Sequence, residues 1–166
     1  MNSTPSNKPI RHDLSRFHEA QEGRGEGSSF ATALEEIRNG RKSSHWMWYV
    51  FPQLPLGTSF MSRKYAIADA GEARAYLSDN ILRDRLLLIT NEVSNHLEVG
   101  IHPTVLMGST IDCAKLSSSM TLFGNSTIAF QDIEIHVSCG RAMDLLARTG
   151  FSQCDQTSVL LEDFDK

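Results

Sequence analysis

ILRDRLLLITNEVSNHL, residues 81–97, is the stretch from which the fold class is read. Leu82, Leu86, Ile89, Val93 and Leu97 recur at intervals of three and four, which aligns them as one stripe on a helix. Gly100 and Pro103 end it. The same period recurs on both sides. Asp13 caps a helix through Gln21, with Leu14 and Phe17 on one face. Ser28 or Ser29 caps another, in which Phe30, Leu34 and Ile37 share a face and Gly40 is the C′ residue. Asp69 and Glu72 have capping-box spacing before a helix through Leu77. Leu116, Met120 and Phe123 predict a helix over Asp112–Phe123, and others are expected over Cys139–Arg148 and Thr157–Phe164. Single helical turns fit Ser62–Ile67 and Val105–Met107.

Two segments have no helical period. WMWYVF, residues 46–51, is bulky at every position, and QDIEIHV, residues 131–137, alternates polar and apolar like a strand. A lone strand has no partner to pair with, so no sheet is expected. The expected fold is all-α: a single compact orthogonal multi-helix domain of about six to eight helices over residues 13–166. A disordered polar tail at residues 1–12 precedes it, and EGRGEGSS, residues 22–29, reads as a flexible loop.

The 166 residues suit one domain, and 40% hydrophobic with 22% charged residues is an ordinary globular balance. No apolar run approaches the ~20 residues that span a bilayer, and no apolar stretch follows the first basic residues as in a secretory signal. Cys113, Cys139 and Cys154 are odd in number and widely spaced, which fits a reducing cytoplasm better than a disulfide framework. No metal-ligand spacing and no dinucleotide, Walker or nucleophile-elbow motif occurs, so neither metal nor cofactor is expected.

Charge is unevenly distributed. The net charge is −4, yet Ile37–Ala68 contains no acid and five cations: Arg38, Arg41, Lys42, Arg63 and Lys64. Such a segment in an acidic chain predicts local affinity for an anion, unless its cations pair with acids elsewhere. Within it lies SSHWMWYVFPQ, residues 43–53, with both tryptophans of the chain. Trp46 and Trp48 are candidate stacking faces, although adjacent aromatics are also what a core requires. His45, beside Ser44 and the cations, is the candidate proton-transfer residue, with a turn-fixing role as its alternative. A second polar cluster, KLSSSMTLF at residues 115–123, places Lys115, Ser118 and Ser119 on one helical face. A lysine and two hydroxyls there would suit a phosphate or carboxylate; alternatively the serines permit close helix packing.

These segments resemble a known family. DLSRFHEAQ (13–21), ALEEIRNGRKSSHWMWYVFPQL (33–54), GTSFMSRKYAI (57–67), EARAYL (72–77), Arg85 with Leu86, and DCAKLSSSMTLF (112–123) match in order the domain of unknown function numbered 1810. The resemblance covers about Asp13 to Leu161 and implies a mainly helical fold without implying a mechanism. The label calpastatin, sometimes attached to such proteins, finds no support in the residues. The chain departs from the family pattern at Ser117, where a basic residue is usual, in the glycine-rich 22–29 loop, and over Gly124–Ser138.

The sequence thus predicts a pocket where the two motifs meet, binding a small anionic, nucleotide-like ligand. Arg41, Lys42, Arg63 and Lys115 supply charge, Trp46 or Trp48 a stacking face, and Ser44, Gln53, Tyr65, Ser118 and Ser119 hydrogen bonds. Whether a reaction follows is left open. The rival expectation is a non-catalytic protein-interaction module whose motifs are core; it predicts that Trp46→Ala unfolds the domain, at ~3–5 kcal/mol. Nucleic acid is disfavoured by the negative net charge, and oligomeric state is not read from the sequence.

Overall fold

A computed structural model describes residues 11–164; of the expected tail, only Arg11 and His12 lie among them. The described chain forms α1 (Ser15–Gln21), α2 (Phe30–Arg38), α3 (Met47–Val50), α4 (Phe60–Lys64) and α5 (Ala70–Ser78). There follow α6 (Asn80–Glu98), α7 (Pro103–Met107), α8 (Thr110–Gly124), α9 (Ile133–Ala147) and α10 (Asp155–Phe164). The class is all-α as expected, but the described residues hold ten helices rather than six to eight. Of the short elements, α4 and α7 fall where single turns are expected, whereas α3, with four residues, is too short to display a period.

The stripe on α6 is buried as its spacing predicts, Leu82, Leu86, Ile89 and Val93 completely. Central to the packing is α8, in which every residue from Leu116 to Phe123 is buried. It is surrounded by α9, α7, α10 and α3. QDIEIHV is no strand: from Ile133 onward it is the start of α9, which continues unbroken to Ala147. Its alternation misled because only Ile135 is buried, whereas Ile133 and Val137 lie on the helix's outer face. Both ends of α6 are tied to the α9 region. Arg83 near its start makes two 2.8 Å hydrogen bonds to Asp132, and Glu98 at its end pairs with Arg141 in the middle of α9.

Five features set the course of the chain towards the site. Ser29 caps α2, accepting from the Thr32 N–H at 3.2 Å. At its other end Gly40 has φ +83°, the Gly40 N–H donates to Ile37 O at 2.8 Å and the Arg41 N–H to Glu36 O at 3.1 Å. That is a Schellman closure, with glycine at the left-handed position. The loop at 22–29 is anchored rather than free. The Ser28 N–H donates to His45 O at 2.9 Å, and Glu26 pairs with Lys64 and accepts from Tyr65 Oη at 2.5 Å. Gly27 is required there by close approach: a Cβ would stand 2.1 Å from His45 O.

Candidate functional site

The segment after α2 runs against the corner between α7 and α8. The Lys42 N–H donates to Leu106 O at 2.7 Å, and Gly108, at φ +83°, turns the chain from α7 into α8. Ser109 then caps α8, accepting from the Asp112 N–H at 3.1 Å. Between these walls lies a depression of about 380 Å³, lined by Lys42, Ser43, Ser44, His45, Met47 and Trp48 from one side. Met107, Gly108, Ser109, Ile111, Asp112 and Lys115 line the other. Its size falls within the roughly 300–1,000 Å³ of small-molecule sites.

Its electrostatics centre on Asp112. Lys42 Nζ lies 2.8 Å from Asp112 Oδ2, and Lys115 Nζ lies 3.5 Å from Oδ1. Two ammonium groups share one carboxylate, leaving one positive charge in excess. Lys115 Nζ also stands 4.4 Å from the Trp48 ring centroid, and Lys42 Nζ 5.1 Å from that of Trp46. The N-terminus of α8, fifteen residues long, adds the partial positive charge of its free N–H groups. His45 lines the depression, and its ring has no hydrogen-bond partner among the described residues, so no carboxylate orients it.

The structure therefore brings Lys42, Ser44, His45, Trp48 and Lys115 together, from both sequence motifs. The other expected site residues lie elsewhere. Trp46 is fully buried, its indole N–H donating to Glu36 Oε2 at 2.8 Å, so it offers no stacking face. Glu36 also accepts from Ser44 Oγ at 2.6 Å and from the Ser43 and Ser44 N–H groups at 2.9 and 3.1 Å. Burial would raise this carboxyl, but the four donors overcome it and hold it down at about 2. Ser44 thus lines the depression while its hydroxyl is committed to Glu36.

Tyr65 is buried, and both that burial and Glu26 beside it push its phenol up. Arg41 and Arg63 are exposed, without an ion-pair partner among the described residues, and neither lines the depression; nor does Gln53. The remaining cations of the acid-free stretch are paired with distant acids, Arg38 with Glu92, Lys42 with Asp112 and Lys64 with Glu26. Ser118 and Ser119 are buried within the α8 packing rather than facing the depression. Ser118 Oγ donates to Ala114 O at 3.1 Å, and neighbouring Ser117 donates to Ser152 O. Here the serines act as small residues in a crowded helix, the packing alternative.

Asp112, Ser109 and Gly108 were missed as site residues. The sequence does carry a signal for them, since Ser109 and Asp112 have capping-box spacing and Asp112 precedes Lys115 by three.

Residues 11–137 match the family described as Protein of unknown function (DUF1810). A similar solved structure is the crystal structure, at 1.38 Å, of the conserved hypothetical protein Rv1873 from Mycobacterium tuberculosis. The two share 36% identity with a TM-score of 0.72, over 90% of this chain and 96% of that one. No curated protein matches.

Proposed function

Since the chain belongs to the DUF1810 family, we propose from its own geometry that the depression between the Lys42–Trp48 segment and the start of α8 binds a small anionic, nucleotide-like molecule. The observation that carries this reading is the convergence of Lys42, Lys115 and the α8 N-terminus on one concave surface beside Trp48. An anionic oxygen placed there meets two ammonium groups and free backbone donors, the combination that favours phosphate. A planar group alongside meets the partly buried Trp48, where stacking contributes ~1–3 kcal/mol. His45 adds a hydrogen-bonding partner. Without an orienting carboxylate its part is in binding rather than in proton transfer.

Asp112 competes with such a ligand for both lysines. Asp112→Asn removes the competing charge and keeps the side-chain shape, so it is expected to tighten anion binding, whereas Lys115→Ala weakens it about tenfold or more. Calorimetric titration with nucleoside monophosphates, sugar phosphates, inorganic phosphate and uncharged nucleosides tests this. Phosphorylated compounds bind more weakly as salt rises, and uncharged nucleosides bind far less well. No heat across the panel, or binding indifferent to Lys115→Ala, overturns the reading.

A further inference from the structure

The positive charge available in the depression is smaller than its two lysines suggest. Lys42 has 9% of its side chain exposed and its ammonium lies 2.8 Å from Asp112 Oδ2, so that carboxylate largely neutralises it. Lys115 is the more open of the two, with 21% of its side chain exposed, 3.5 Å from the same carboxylate and leaning over the Trp48 ring. At the start of α8 the Asp112 N–H is taken by Ser109 Oγ and the Cys113 N–H by Ser109 O. Those of Thr110 and Ile111 have no partner among the described residues. A bound anion therefore meets one available ammonium and a pair of backbone donors.

A second acid stands behind the opposite wall. Ser43 and Ser44 line the depression, and their N–H groups donate to Glu36 Oε2 at 2.9 and 3.1 Å, which places this carboxylate directly behind the backbone of that wall. Its other donors, Ser44 Oγ and the Trp46 indole, are neutral too, and no cation pairs with it among the described residues. The two lysines and Asp112 leave one positive charge in excess, and Glu36 offsets that charge from behind. Attraction to such a site grows in proportion to the charge of the ligand, whereas the cost of taking the ligand out of water grows with the square of that charge. A singly charged anion matches the site. A second charge adds desolvation and repulsion from both acids and finds no further cation.

Resting on the anion-binding reading above, we propose that the depression selects phosphodiesters over phosphomonoesters. Its ligand is a nucleoside whose phosphate carries a second ester and a single charge, as in a cyclic nucleotide or a nucleoside 5′-alkyl phosphate. Asp112 sets this selectivity, because it neutralises Lys42 and repels the second charge of a terminal phosphate.

Calorimetric titration of the full chain at pH 8, where a monoester carries two charges and a diester one, tests this. The ligands are a nucleoside 5′-monophosphate, its methyl ester, and the 3′,5′-cyclic phosphate of the same nucleoside. Both diesters are expected to bind about tenfold more tightly than the monoester. In Asp112→Asn the diesters gain about tenfold and the monoester about a hundredfold, because a doubly charged ligand feels the removed charge twice over, and the three affinities draw level. Circular dichroism verifies the fold of the variant, and the ratio in the parent protein is decisive without it. A monoester that binds the parent as tightly as the diesters, or a ratio that Asp112→Asn leaves unchanged, overturns the selectivity while the anion site stands. No binding of any of the three overturns both.

Discussion

Glu36 explains more of the SSHW segment than any ligand does. It was absent from the reading of that segment because it lies in the preceding helix, eight residues before Ser44 and ten before Trp46. A carboxylate that gathers four donors fixes the chain's course after α2 and seals Trp46 into the core. The two tryptophans of one motif, separated by Met47, consequently have different fates. Trp46 is buried, while Trp48 is only partly buried, beside Lys115. Periodicity has no means of separating them, because the choice depends on a contact outside the motif. Glu36→Gln keeps the shape but loses the charge that these donors favour, and is expected to cost about 2 kcal/mol. The pH dependence has a definite sign. The folded carboxyl titrates near 2, below its ordinary 4.5, so its stabilising contribution is full above pH 4.5 and is lost as pH falls through about 2. Urea denaturation across that window should show a shallower acid loss in Glu36→Gln than in the parent protein.

The long helices were legible because burial on one side imposes a stripe, as on α6, and because serine, aspartate and glycine mark their ends. Two elements were not legible in this way. From Leu116 to Phe123 α8 is buried on every face, so its serines read as a polar ligand face when they serve as small packing residues. α9 begins with an alternation whose exposed members form a surface of their own. The 22–29 loop was misread for a third reason. Glycine signals freedom in sequence, yet Gly27 is there because His45 O and Tyr49 Oη approach where a side chain would be. Gly27→Ala, with its Cβ built 2.1 Å from a backbone oxygen, is expected to destabilise by about 2 kcal/mol. Thermal unfolding would check this; an unchanged midpoint would show that the loop shifts at little cost.

At the scale of the molecule, the packing of the ten helices among the described residues leaves open the depression beside α8 and the outer face of α9. No helix of the described chain is long and apolar enough to cross a membrane. The candidate site was legible as two motifs with an excess of cations, and five of its expected residues do converge. Its centre, Asp112, was not legible, because its importance comes from Lys42, seventy residues away in sequence and 2.8 Å away in space. The two tryptophans provide the most direct test of the central claim. Their indole N–H resonances can be followed separately in a nitrogen–proton correlation spectrum while a nucleoside monophosphate is added. The account predicts a saturable shift of the Trp48 resonance that Lys115→Ala suppresses, with the Trp46 resonance, held by Glu36, unmoved. A Trp48 resonance that stays in place across nucleotides and sugar phosphates alike would contradict it.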